Sequence, residues 1–116
     1  MDYGEMILVH SRWKTRLNDA IKGGKPIDSQ DGRDDQCELG QWINGDGRRY
    51  AGNKAYEDLR LKHKRFHASI PPIAAQARSA PARALELVNS PTGDFTRSSI
   101  EVVNAIAAIR AVLPKQ

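Results

Sequence analysis

Apolar residues recur at three- and four-residue spacing along most of the chain. Met6, Val9, His10, Trp13, Leu17, Ala20 and Ile21 form one stripe, with Arg12, Lys14, Arg16 and Asp19 opposite, which predicts a helix over 5–22. Gly23, Gly24 and Pro26 stop it, and residues 23–33 have the composition of a loop. A short helix is expected over 34–45, with Asp34 or Asp35 as its cap, Cys37 near its start and Leu39, Trp42 and Ile43 as a narrow stripe. Asn53 opens the next helix, carrying Tyr56, Leu59, His63, Phe66, His67 and Ile70. Its stripe continues through Ile73, Ala74, Ala77, Ala84, Leu85 and Val88 although Pro71, Pro72 and Pro81 interrupt it. The retained phase favours a kink near Ile70 over a break and restart. A turn at 89–93 precedes a last helix to about Leu113, with Ile100, Val103, Ala107 and Val112 on its stripe. No segment reads as a strand. Short connections imply antiparallel neighbours, so the expected fold is all-α, a helical bundle.

Composition narrows the classes. The chain has 116 residues, 40% hydrophobic and 28% charged, the balance of one ordinary globular domain spanning 1–116. A single cysteine excludes an intramolecular disulfide framework. The first residues are acidic, the apolar run 6–9 is too short for a signal peptide, and no run is long enough to span a bilayer, so a cytoplasmic protein without membrane partners is expected. The net charge of +4 hints at nucleic acid, but the basic residues are dispersed. Arg60, Lys62, Lys64 and Arg65 read as a solvated face, and 6% aromatics supply no stacking platform for single strands.

The chemistry sits on the apolar stripes. His10 is in phase with Met6, Trp13 and Leu17, and His63 and His67 are in phase with Leu59, Phe66 and Ile70. Any one of them alone reads better as a core histidine with satisfied ring nitrogens. All three together, with the only cysteine at the start of a helix, also make a ligand set. His63 and His67 are four residues apart and share a helix face, whereas His10 and Cys37 come from two other elements. Three imidazoles and a thiolate have the number and softness that favour Zn2+. The segment from His63 to His67 has Lys64 where a zinc protease places its glutamate. A site closed by Cys37 leaves no position for an activated water, so no enzyme activity is expected.

Three motifs in order carry a resemblance: His10-Ser11-Arg12-Trp13, then Cys37-Glu38-Leu39-Gly40-Gln41-Trp42-Ile43, then His63-Lys64-Arg65-Phe66-His67. Together they resemble the chemoreceptor zinc-binding (CZB) domain family over about residues 5–113. The resemblance implies an antiparallel four-helix bundle with zinc bound between helices by His10, Cys37, His63 and His67. It also implies association with bacterial chemoreceptors or diguanylate cyclases and a role in sensing zinc or oxidants. Trp13 and Trp42 match the family's tryptophans and are expected to pack beside the site. Gly40 is expected to permit close approach of helices. Asp34 and Asp35 are expected as caps or as acceptors for a ligating histidine.

The leading expectation is a zinc-binding sensory domain that acts on a signalling partner in trans, such as a chemoreceptor or a diguanylate cyclase, or on a second copy of itself. Val102, Ile106, Ile109 and Val112 widen the last helix's stripe and point to a homodimer. Cys37 is the expected switch, its thiolate favoured by the helix N-terminus. The rival is a zinc-binding adaptor or buffer that does not change shape.

Overall fold

The computed structural model describes residues 1–114. They form six α-helices and two short 3-10 segments, and no strand occurs among the described residues. Helix α1 spans Tyr3–Lys22. The Asp2 carboxylate caps it by accepting from the Glu5 N–H at 2.8 Å, and Gly23 closes its other end. Its buried face is Met6, His10, Trp13, Leu17 and Ile21, spaced by three or four as a helix requires.

The loop after α1 contains a 3-10 turn, Ser29–Gly32, capped by Asp28, whose carboxylate accepts from the Gln30 N–H at 2.9 Å. Helix α2 is shorter than expected, Glu38–Asn44. Neither Asp34 nor Asp35 caps it. Cys37 does, with its sulfur accepting from the Gly40 N–H at 3.3 Å. Gly40 also has a different role from the one anticipated: a Cβ there would run into the Asp34 carbonyl oxygen. The glycine lets the 34–35 backbone, not another helix, lie against α2. A second 3-10 segment, Asp46–Tyr50, follows.

Helix α3 spans Lys54–Ala68, and the Asn53 side chain caps it by accepting from the N–H groups of Ala55 and Tyr56. The Tyr56 hydroxyl donates to the Ile43 carbonyl at 2.6 Å and fastens α2 to α3. The single helix expected from Asn53 through Val88, kinked near Ile70, is instead three helices, of which α3 is the first. Pro71 and Pro72 have no N–H for the carbonyls of His67 and Ala68, so the ladder stops at Ser69 and α4 runs over Ile70–Ser79 with both prolines in its first turn. Ala80 then leaves helical conformation, at φ −146° and ψ 72°, as the residue before Pro81 is driven to do, and α5 spans Pro81–Asn89. Helix α6 spans Asp94–Ile109.

Packing follows from the stripes. Helix α3 lies along α6, with Phe66 against Phe95 at 5.1 Å between ring centroids. Helix α1 packs on α5 and α6 and runs opposite to α6: His10 meets Ser99, and Tyr3 meets Arg110. Helix α2 contacts both α1 and α3, and α4 folds against α5 and the 29–32 turn. On α6 the buried stripe is Phe95, Ser98, Val102, Ala105, Ile106 and Ile109, whereas Ile100, Val103 and Ala107 are exposed. Ile100, Val103 and Ala107, expected in the core, are therefore on the outer face with Val112 half-buried, whereas Val102, Ile106 and Ile109, expected as surplus surface for a second copy, fill the bundle interior. No helix among the described residues is long and apolar enough to cross a membrane.

Candidate metal centre

Two elements meet to make the centre. On α3, the four-residue interval stacks His63 and His67 on the buried face, and their Nε2 atoms lie 3.1 Å apart. At the start of α2, the cap conformation of Cys37 turns its sulfur inward, 3.2 Å from the His63 Nε2. The ligand atoms of Cys37, His63 and His67 all fall within 4.8 Å of one another.

The hydrogen bonds around these rings decide their protonation. His67 Nδ1 donates to the Asp31 carbonyl at 2.7 Å, so its Nε2 carries a lone pair. His63 Nδ1 is buried without a partner. A proton on that Nδ1 would be an unsatisfied buried donor, and two Nε2 lone pairs would then face each other. A proton on the His63 Nε2 would leave the buried Nδ1 lone pair unmatched. A cation held by both Nε2 atoms and the sulfur removes the lone-pair conflict. Nitrogens ~2.0–2.1 Å from a tetrahedral zinc stand about 3.3 Å apart, and a sulfur at ~2.3 Å stands about 3.6 Å from each. The His63–His67 and Cys37–His63 separations, 3.1 and 3.2 Å, are within a few tenths of an ångström of those edges, and the third falls within 4.8 Å, so the donor set fits such an ion.

Residues 10–71 match the chemoreceptor zinc-binding domain, CZB, a stretch of more than half the chain that opens at His10 and contains Cys37, His63 and His67. The chain belongs to the CZB family. No curated protein and no solved structure matches it.

In this CZB chain one of the four expected donors, His10, stands apart from the other three. His10 is not part of the group within 4.8 Å. Its Nε2 lies 2.9 Å from the Ser99 hydroxyl of α6, its ring packs on Phe66 at 4.6 Å, and its Nδ1 is buried without a partner. Trp13 stands edge-on against His67, 5.0 Å between centroids and 88° between planes. Trp42 lies away from the donors, beside Tyr50 at 6.1 Å and against Gly47. The acceptor for His67 is the Asp31 carbonyl rather than the Asp34 carboxylate, whose charge acts on the ring at a distance.

Burial dominates the electrostatics. It pushes His10 down to about 4 and His63 down to about 3, with the neighbouring His67 adding to both. It lowers His67 too, partly offset by the bond to Asp31. All three rings are neutral at pH 7 and have lone pairs to offer. Burial also pushes the Cys37 thiol up, against the pull of the Gly40 and Leu39 N–H groups. The expectation that the helix N-terminus sets this thiol therefore fails in the metal-free protein: desolvation outweighs the dipole. Cation binding has the opposite effect and is coupled to loss of the thiol proton.

Sequence reasoning missed Asp31 and Ser99. Asp31 contributes a backbone carbonyl, which no residue type advertises. Ser99 had a detectable position, because it follows the buried Ser98 at the edge of the α6 core face.

Proposed function

We propose that this CZB chain is a zinc-binding sensory domain. The observation that carries the reading is the convergence of the Cys37 sulfur with the His63 and His67 Nε2 atoms inside an apolar core. Zn2+ is the ion that suits two imidazoles and a thiolate, and it supplies a fixed tetrahedral charge that ties α2 to α3. His10, with its unmatched Nδ1, is the fourth ligand in this reading and would draw α1 into the same tie. Residues 1–116 are one domain, and α1, α3, α6 and the α4–α5 arm serve as an antiparallel four-helix bundle. Four protein ligands leave no site for a reacting water, so the domain is not an enzyme.

The sensed event is loss of the tie. Falling zinc removes it directly. An oxidant such as hypochlorite or peroxide removes it by transferring oxygen to the Cys37 sulfur, giving a sulfenic acid with chloride or hydroxide as the leaving group. The response passes to a signalling partner in trans, a chemoreceptor or diguanylate cyclase, or to a second copy in a homodimer. Exposed Leu8, Leu61, Ile100 and Val103 support such a contact. Metal analysis of protein purified from zinc-supplied cells tests the reading. One zinc per chain, lost in Cys37→Ala, is expected, and zinc-free wild type would overturn it.

One observation favours a non-switching adaptor or buffer. Met6, Leu59, Ile70, Val88, Val102 and Ile106 are buried to 0–1% exposure, in an apolar core that extends well beyond the donors. Amide exchange separates the two: a sensor loses protection in α2 and α3 on chelation, and an adaptor does not.

A further inference from the structure

A closed ring of four contacts links the metal centre to the surface. Trp13 meets His67 edge-on. The Arg16 guanidinium lies over Trp13, 4.9 Å from the ring centroid, and reaches the Asp31 carboxylate at 3.3 Å. The Asp31 carbonyl completes the ring by accepting from His67 Nδ1. Beside this ring runs a groove of about 710 Å³ between α1 and residues 28–38, with Trp13, Arg16, Asp31, Gln36 and Cys37 on its walls.

Asp31 is the one buried carboxylate among the described residues, with 8% of its surface exposed. Its side chain reaches from the 29–32 turn to α1, where Arg16 is the cation paired with it. An exposed ion pair is usually worth little. Here one partner is open and the other buried, at 61% and 10% side-chain exposure, so removing the open partner strands a charge in the interior. The least costly response is for the turn to move towards water. That turn carries the acceptor of His67, and the segment following it carries Cys37.

We infer that Arg16 is a positioning residue for the metal centre: by clasping Asp31 across Trp13 it seats the Asp31 carbonyl on His67 and narrows the groove that leads to Cys37. This deepens the proposed function and rests on it for the metal, but the clasp acts on the thiol with or without an ion. Arg12 lines the same groove without pairing Asp31 and is the natural control.

The test has two arms. In chelator-treated protein, alkylation of Cys37 by iodoacetamide, a neutral reagent, is expected to run about two- to fivefold faster in Arg16→Gln, the range such a pair supports. Arg12→Gln should match wild type, and Arg16→Lys should fall between. Raising ionic strength should speed wild type towards the Arg16→Gln rate and leave that variant unmoved, a response that a role in packing alone would not give. In zinc-loaded protein, release to a chromogenic chelator should quicken in the same order. Equal alkylation in wild type and Arg16→Gln, or an equal rise in Arg12→Gln, would overturn the inference. If Arg16→Gln loses helicity by circular dichroism, the salt response of wild type decides alone, and a flat response rejects the clasp. Wild type that holds no zinc but keeps the alkylation order would reject the metal reading and leave the clasp standing.

Discussion

At the scale of single residues, Cys37 has two roles on one atom. Its sulfur accepts the Gly40 N–H at the start of α2 and faces His63. The roles separate by substitution. Serine is a strong cap but a poor soft ligand, so Cys37→Ser should keep the helicity of wild type while losing zinc; Cys37→Ala should lose zinc and about 1 kcal/mol of stability as well. Denaturant melts of the two metal-free variants, with metal analysis, check this, and equal stabilities would show the cap to be idle. The buried histidines set a pH response in chelator-treated protein. Their folded values lie below the ordinary value of 6.5, at about 4 for His10 and about 3 for His63. The unfolded chain therefore takes up protons first, and stability that is full above pH 6.5 is lost as pH falls towards 3. A melting temperature flat from pH 7 to pH 4 would contradict it. The three rings were legible in the sequence because polar residues on an apolar stripe stand out. The rise of the Cys37 thiol was not, because burial of a residue in front of a helix depends on what the chain later folds over it.

At the scale of elements, the caps show what sequence can and cannot supply. Asn53 was readable as a helix start, and its side chain accepts from two N–H groups. Asn53→Ala is expected to lower stability by about 1 kcal/mol with zinc content unchanged. Thermal melts and metal analysis together check it, and loss of zinc would mean that the α3 start is coupled to His63. The short α2 was not readable. Asp34 and Asp35 have the right chemistry for a cap, but their backbone is held flat against Gly40, and the cysteine takes the position. The breaks at Ser69 and Ala80 were half legible. The prolines mark both positions, but a stripe that keeps its phase across them does not reveal that α4 folds back on α5 at Ala80, because each helix can bury its own apolar face after a turn.

At the scale of the whole molecule, the all-α class followed from periodicity, and three of the four expected donors lie together. The fourth, His10, is held by a serine from a helix outside the matched family segment, a contact that local pattern does not encode. The apolar core extends well past the donors, from Ile21 at one end of α1 to Ile109 at the end of α6. A chelator should therefore lower the melting temperature of zinc-loaded protein while leaving its far-ultraviolet helical spectrum largely intact. Unfolding on chelation at 25 °C would show that the apolar stripes are insufficient alone. The two tryptophans make such experiments unusually direct. Trp13 touches the His67 ring, and Trp42 sits beside Tyr50, away from the donors. In Trp42→Phe the remaining indole emission should change in intensity as zinc is added, whereas in Trp13→Phe it should stay flat. The chain thus carries its own optical probe at the candidate metal centre, with a built-in reference elsewhere in the fold.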